Sequence, residues 1–177
     1  EKAPESIQKK SVYIPNGIDA ITRSESVDYL EKIGAIKGEY VLGVGRITPE
    51  KGFEYLVEAV NKLDCVKQLV IAGAADHGDG HLQHLKELDV NKKVIFAGFV
   101  GGENLRQLYS HARMFVLSSE NEGFPLVMLE AMNYGLPMVV SDISATHLIE
   151  LPRECYAKKC DANDLADKIE KTYSNEQ

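Results

Sequence analysis

Apolar residues along the chain come in short unbroken runs: "YVLGVG" (40–45), "QLVIAG" (68–73), "VIFAGF" (94–99), "MFVLSS" (114–119) and "PMVVSD" (137–142). A strand with one wet face alternates apolar and polar residues. An unbroken run predicts a strand covered on both faces, as in a parallel sheet. Between the runs lie stripes of helical period. Phe53, Leu56, Val57 and Val60 follow i, i+3, i+4, i+7 spacing; Leu82, Leu85 and Leu88 form a second stripe, and Leu105 and Leu108 a third. Leu165 and Ile169 mark a last helix, with Asp161 as its expected N-cap. Strand and helix therefore alternate, which predicts an α/β domain with a doubly wound parallel sheet over residues 40–177. "ECYAKK" adds a sixth strand at the edge. Residues 1–39 read as a connecting segment, with one strand-like piece and a turn in "SVYIPNGID".

Bulk properties narrow the partners. The chain has 177 residues, 44% apolar and 27% charged, with a net charge of −7. That length supports one domain with a substantial core. The negative charge argues against a nucleic-acid or anionic-membrane partner for the chain as a whole. No apolar run is long enough to span a bilayer, and no signal peptide opens the chain. Cys65, Cys155 and Cys160 lack a CxxC spacing and read as reduced thiols, consistent with a cytoplasmic location. The first residue is Glu rather than Met, so the sequence reads as a fragment or a processed form.

Ligands of doubly wound sheets bind beyond the carboxyl ends of the strands. Here those ends read "GVGRITPEKG", "AGAADHGDG", "AGFVGGEN", "SSENEGFP" and "SDISATH". In the first, Gly43 and Gly45 allow close backbone approach, but Thr48 stands where a dinucleotide fingerprint needs its third glycine. Arg46 and Lys51 suit a diphosphate, one as a fork and one as a point charge. On spacing alone they read equally well as solvated surface cations. In the fourth, a helix is expected to start with Pro125 at its first position, where a missing N–H costs nothing. The amides of Leu126 and Val127 would then point out of an anion-binding helix end. Glu122 precedes that end, and Gly123 leaves room for a ligand. Glu130 lies further into the helix among apolar neighbours. A carboxylate there either accepts from a vicinal diol, meets a core polar group, or faces solvent.

Asp76, His77, Asp79, His81 and His84 could evoke a metal site, but no HExxH pattern is present and the acidic residues sit where N-caps usually fall. No metal is expected, and His111 and His147 read as structural or surface residues. There is no Gly-x-Ser-x-Gly elbow and no DxD pair.

Together, "IPNGID", "GRITPEKG", "VIFAGFV" and "EGFPLVMLEAMNYGLPMVVSD" resemble the C-terminal, donor-binding domain of GT-B retaining glycosyltransferases, the group 1 or family 4 enzymes. The resemblance runs in order over residues 11–142 and more loosely to Ile169. It implies a Rossmann-like half of a GT-B fold that binds a nucleoside diphosphate sugar without a metal or other cofactor. It sets Arg46, Lys51 and Glu122 in the reaction, the first two at the diphosphate and the third, with Glu130, in an E-x7-E motif. It sets Gly45, Phe99, Val100, Gly123, Phe124, Leu126, Val127 and Glu130 around the donor, with Glu130 on the ribose. It also implies an acceptor domain ahead of residue 1, without which the chain would be inactive and through which alone a membrane would be met. "SATHLIE" departs from the family's Gly-Gly and glutamate after "SD", and "ECYAKKCDANDL" departs at the last strand. The same nucleotide contacts would also serve a GT-B sugar-nucleotide epimerase or a non-catalytic binding module.

Overall fold

The structure, a computed structural model, describes residues 16–75 and 80–174. The strand-like piece expected before Asn16 lies outside those residues. A six-stranded parallel sheet runs through the molecule: β1 (Tyr40–Val44), β2 (Gln68–Ala72), β3 (Val94–Gly98), β4 (Met114–Leu117), β5 (Met138–Ser141) and β6 (Tyr156–Ala157), in the order β3-β2-β1-β4-β5-β6. The helices are α1 (Asp28–Ile33), α2 (Phe53–Asn61), α3 (His81–Leu88), α4 (Gly102–His111), α5 (Leu126–Asn133) and α6 (Ala162–Ser174).

Side chains alternate across each strand with period two, so successive residues enter different layers. Val41, Leu69, Ile71, Met114, Val116 and Val139 enter one layer with Leu56, Val57 and Val60 of α2, Leu85 of α3 and Leu165 and Ile169 of α6. Tyr40, Leu42, Val70, Phe115, Leu117 and Val140 enter the other with Leu30 of α1, Leu108 and Tyr109 of α4 and Met128 of α5. Both faces are thus covered, which is why the central strands read as unbroken apolar runs. Full burial of each such aliphatic side chain is worth roughly 1.5–3 kcal/mol.

β3 departs from the expectation. It pairs only with β2, and its residues are half-buried or exposed, because the strand lies at the sheet edge. The expected sixth strand is present at the other edge as β6, and Asp161 caps α6 by accepting from the amides of Asn163 and Asp164, both at 3.0 Å. The connecting segment carries α1, whose Leu30 is 1% exposed within the core. Strands β1 to β3 add in one direction and β4 to β6 in the other, so the chain switches direction between β1 and β4. That gap is the ligand crevice of such a sheet.

Candidate functional site

At the β1 end of the crevice, Gly45 N–H donates to Ala72 O and Ile47 N–H to Ala74 O, extending the β1–β2 pairing past the strands. The two backbones touch closely: a Cβ on Gly73 would lie 1.7 Å from Gly45 O. Beyond Thr48 the chain makes a single 3₁₀ turn, Pro49–Lys51, and reverses at Gly52 with φ +59°. Glycine is required there twice over. The backbone is left-handed, and a Cβ would stand 2.3 Å from Ser118 O. This contact docks the turn on the end of β4, where Glu120 N–H donates to Glu50 O and Ser118 Oγ to Lys51 O.

Docking the two loops brings together residues 71 positions apart. Lys51 Nζ lies 2.6 Å from Glu122 Oε1, and Ser119 Oγ donates to the same oxygen at 2.7 Å. Both charged side chains are largely enclosed, at 19% and 10% exposure. Arg46 behaves differently. Its side chain is 69% exposed and its ion-pair partner, Glu50, is 3.9 Å away. A guanidinium so placed remains available to an incoming anion.

α5 begins one residue later than expected. Pro125 is the N-cap, with φ −78° and ψ 89°, and Leu126 is the first helical residue. A ψ of that value is not helical, so proline flanks the helix instead of opening it. Pro125 O already accepts from Met128 N–H, while the amides of Leu126 and Val127 precede the first intrahelical bond. Gly123 is exposed, and a Cβ there would meet no atom within 4 Å, so no protein neighbour demands glycine at this position. Phe124 is half-buried and Leu126 is exposed beside it.

Glu130 meets a core polar group. Tyr109 Oη donates to Glu130 Oε2 at 2.8 Å, and the Tyr109 ring stacks on Tyr134 with centroids 5.1 Å apart. Burial, then the adjacent carboxylate, pushes the Tyr109 phenol well above the usual tyrosine range, so it stays a proton donor. Glu130 is not sealed in, however. It lines a cleft of about 620 Å³ with Gly17, Ile18, Asp19 and Ile21. Phe99, 85% exposed, and half-buried Val100 follow the end of β3 on the same rim.

The structure thus joins Lys51 to Glu122 directly and leaves Arg46, Phe99 and Glu130 separately placed around the carboxyl rim. Sequence reasoning missed Ser119 and Tyr109. Tyr109 was within reach of it, because it lies four residues after Leu105 on the apolar stripe of α4. His81 faces Glu54 at 3.7 Å, and among the described residues no group of three His, Cys, Asp or Glu is arranged to hold a metal. Asp76, His77 and Asp79 lie outside the described residues. His111 is buried with Nε2 2.9 Å from Ser26 O, as a structural histidine.

Comparison with known families decides the assignment. The family profile described as "Glycosyl transferases group 1" matches residues 38–175. This chain belongs to the group 1 glycosyltransferases. An uncharacterized glycosyltransferase of Methanocaldococcus jannaschii is 39% identical over 146 residues, 77% of this chain and 37% of that protein. The alpha-galactosylglucosyldiacylglycerol synthase of Streptococcus pneumoniae is 29% identical, with 80% of this chain and 40% of the synthase aligned. The chain therefore spans about two fifths of the length of these curated relatives. Among solved structures, Anabaena HepE in complex with UDP and glucose superposes with a TM-score of 0.75 at 21% identity, over 86% of this chain and 44% of HepE. The C-terminal domain of a group 1 family protein, LpcC of Francisella tularensis, gives 0.71 at 25% identity, with 90% and 89% covered. The Rossmann-like architecture of the group 1 domain is common to these structures. Among the described residues, no helix is long and apolar enough to cross a membrane.

Proposed function

We propose that this group 1 domain binds a nucleoside diphosphate sugar along the carboxyl rim of its sheet and supplies the donor half of a retaining, metal-independent glycosyltransferase. The observation that carries the reading is the docking of the Lys51 turn on the β4 end, which sets an ammonium against Glu122 at the loop that leads into α5. In this reading Arg46, Lys51 and the amides of Leu126 and Val127 serve the diphosphate from the two sides of the switch point. The hard step in glycosyl transfer is departure of the diphosphate. Fixed cations and amides aimed at that charge stabilise it without reorganising. Lys51 has three donors, enough to keep Glu122 and still reach a phosphate oxygen. Glu122, anchored through Oε1, offers Oε2 to a sugar hydroxyl. Gly45, Gly123 and Phe124 leave the backbone open along the same path, Phe99 and Val100 flank the base, and Glu130 takes the ribose. Structures of HepE with UDP and with UDP-glucose supply the ligand class by analogy.

In this reading the acceptor side belongs to a further domain, any membrane contact is made there, the enzyme is cytoplasmic, and the 177-residue chain alone turns over no sugar. Calorimetry with a panel of nucleoside diphosphates in excess chelator tests the donor assignment. Binding is expected to persist. Binding that requires added magnesium or manganese would contradict the metal-free mechanism.

A further inference from the structure

Glu130 stands between two cavities. On one side is the cleft of about 620 Å³ that would receive the ribose. On the other is a pocket of about 140 Å³ between α4 and α5, lined by Gly102, Leu105, Arg106, Tyr109 and Tyr134. Glu130 and Ile21 line both.

A glutamate at such a boundary has a choice of partners. The small pocket offers it a phenol, Tyr109, and a guanidinium, Arg106. The two are three residues apart on α4 and so share a helix face. The guanidinium is the stronger attraction, because a charged donor binds a carboxylate about twice as strongly as a neutral one. Yet Glu130 Oε2 accepts from Tyr109 Oη, at 2.8 Å.

The two competitors are held in different ways. Tyr109 is 2% exposed, stacked on Tyr134 and tilted against Phe115 with centroids 6.3 Å apart, so its hydroxyl is a fixed point. Arg106 is turned to Glu103 instead, with Nη1 3.1 Å from Oε2. Glu103 is fixed in turn through its other oxygen, which accepts from Ser24 Oγ of the connecting segment. Ser24 is buried, and its N–H donates to Ser110 Oγ on α4 at 2.8 Å. The Tyr134 phenol, pushed up by burial, also feels Arg106, Glu130 and Glu103, which gathers the three charges about one ring. Cation and carboxylate therefore line one small pocket, and each is given another partner. Arg106 lines that pocket and not the cleft, so an ion pair between the two would draw Glu130 off the cleft.

We infer that Tyr109 is a positioning residue for ribose recognition: its fixed phenol keeps Glu130 at the cleft wall and out of the grip of Arg106. The inference rests on the donor reading above, which gives Glu130 the ribose. Tyr109 acts only through Glu130. A core tyrosine without this role would leave the choice between ligands untouched.

The test is calorimetry on the 177-residue chain with UDP and GDP, each against its 2′,3′-dideoxy counterpart. The ratio of the two affinities is the diol preference. Tyr109→Phe should lower that preference roughly tenfold, the size of one lost hydrogen bond to a charged group, with affinity for the dideoxy ligand unchanged. Arg106→Met added to Tyr109→Phe should restore most of the preference. Arg106→Met alone should leave it as in the parent. Chemical denaturation reports that each variant folds. If Tyr109→Phe keeps the preference while Glu130→Gln abolishes it, the inference is overturned and the donor reading stands. Failure of Arg106→Met to restore the preference also overturns it, as does a loss in Tyr109→Phe shared equally by the dideoxy ligand, which is damage to the core. If Glu130→Gln keeps the preference of the parent, the ribose assignment itself is wrong and the inference falls with it.

Discussion

Glu122 and Glu130 are eight residues apart and both face the carboxyl rim, yet the protein satisfies them in different ways. Glu122 sits in a loop and is held by two polar groups on one oxygen, Lys51 and Ser119. Its position depends on a glycine-specific contact between two loops. Glu130 sits in a helix and is held by one phenol that is itself part of the core. The first is a charge held by polar partners on two loops, and the second is a charge held by the packing. Perturbing Glu122 should therefore alter the rim, whereas perturbing Glu130 should be felt in the hydrophobic layer beneath it.

The largest effect should come from the contact that creates the Glu122 arrangement. Gly52→Ala forces a Cβ toward Ser118 O in a left-handed backbone and should cost about 2–4 kcal/mol. Chemical denaturation measures this. A Gly52→Ala variant as stable as the parent would mean that the two loops are not docked as described.

Next in size is the ion pair. Lys51→Met leaves an enclosed Glu122 carboxylate with only Ser119 and should cost about 1–3 kcal/mol, with Glu122→Gln in the same background restoring part of the loss. A double-mutant cycle showing no coupling between the two positions would dissolve the first half of the comparison.

For the second half, Glu130→Ala strands the Tyr109 hydroxyl and should cost about 1–2 kcal/mol, since the half-buried site admits some water. Tyr109→Phe removes the buried donor along with its need and should cost less than about 1 kcal/mol. Equal losses in both variants would show that the hydrogen bond, not the stranded phenol, dominates.

A third carboxylate calibrates the other two. Asp161 serves only structure, and the amides of Asp164 and Asn163 hold its pKa below the usual aspartate range. With the folded value lower, the unfolded chain takes up the proton first as pH falls. The contribution of the cap is thus fully present above the ordinary aspartate pKa and is lost as pH drops through the folded one. Asp161→Asn should flatten that acid limb of the stability–pH curve and leave neutral pH nearly unchanged.

Much of this fold is readable in sequence because its central strands are buried on both faces and so appear as apolar runs. What such runs do not encode is neighbourhood. "VIFAGF" looks as buried as "QLVIAG", yet it forms the edge, because strand order is set by the crossovers and not by local hydrophobicity. The same holds at the site. Arg46, Lys51, Glu122 and Glu130 are each conspicuous in sequence, but the bond between Lys51 and Glu122 exists only because β1 lies next to β4. Ser119 and Tyr109 were missed because a serine and a tyrosine carry no charge to draw attention. Pro125 was placed one residue too far into its helix, a boundary that the backbone angle decides and the residue type does not.

The central claim is that Arg46 grips phosphate and Glu130 holds the ribose diol. Calorimetry of two variants against three ligands tests it: a nucleoside diphosphate, the free nucleoside and the 2′,3′-dideoxy diphosphate. Arg46→Ala should weaken the diphosphate by about tenfold to a hundredfold and barely change the nucleoside, the expected loss for a charge-assisted hydrogen bond. Glu130→Gln should weaken the diphosphate and the nucleoside alike, and lose most of its effect against the dideoxy ligand. If Glu130→Gln distinguishes the dideoxy ligand from the diol as well as the parent does, Glu130 serves only Tyr109, and the ribose assignment is wrong.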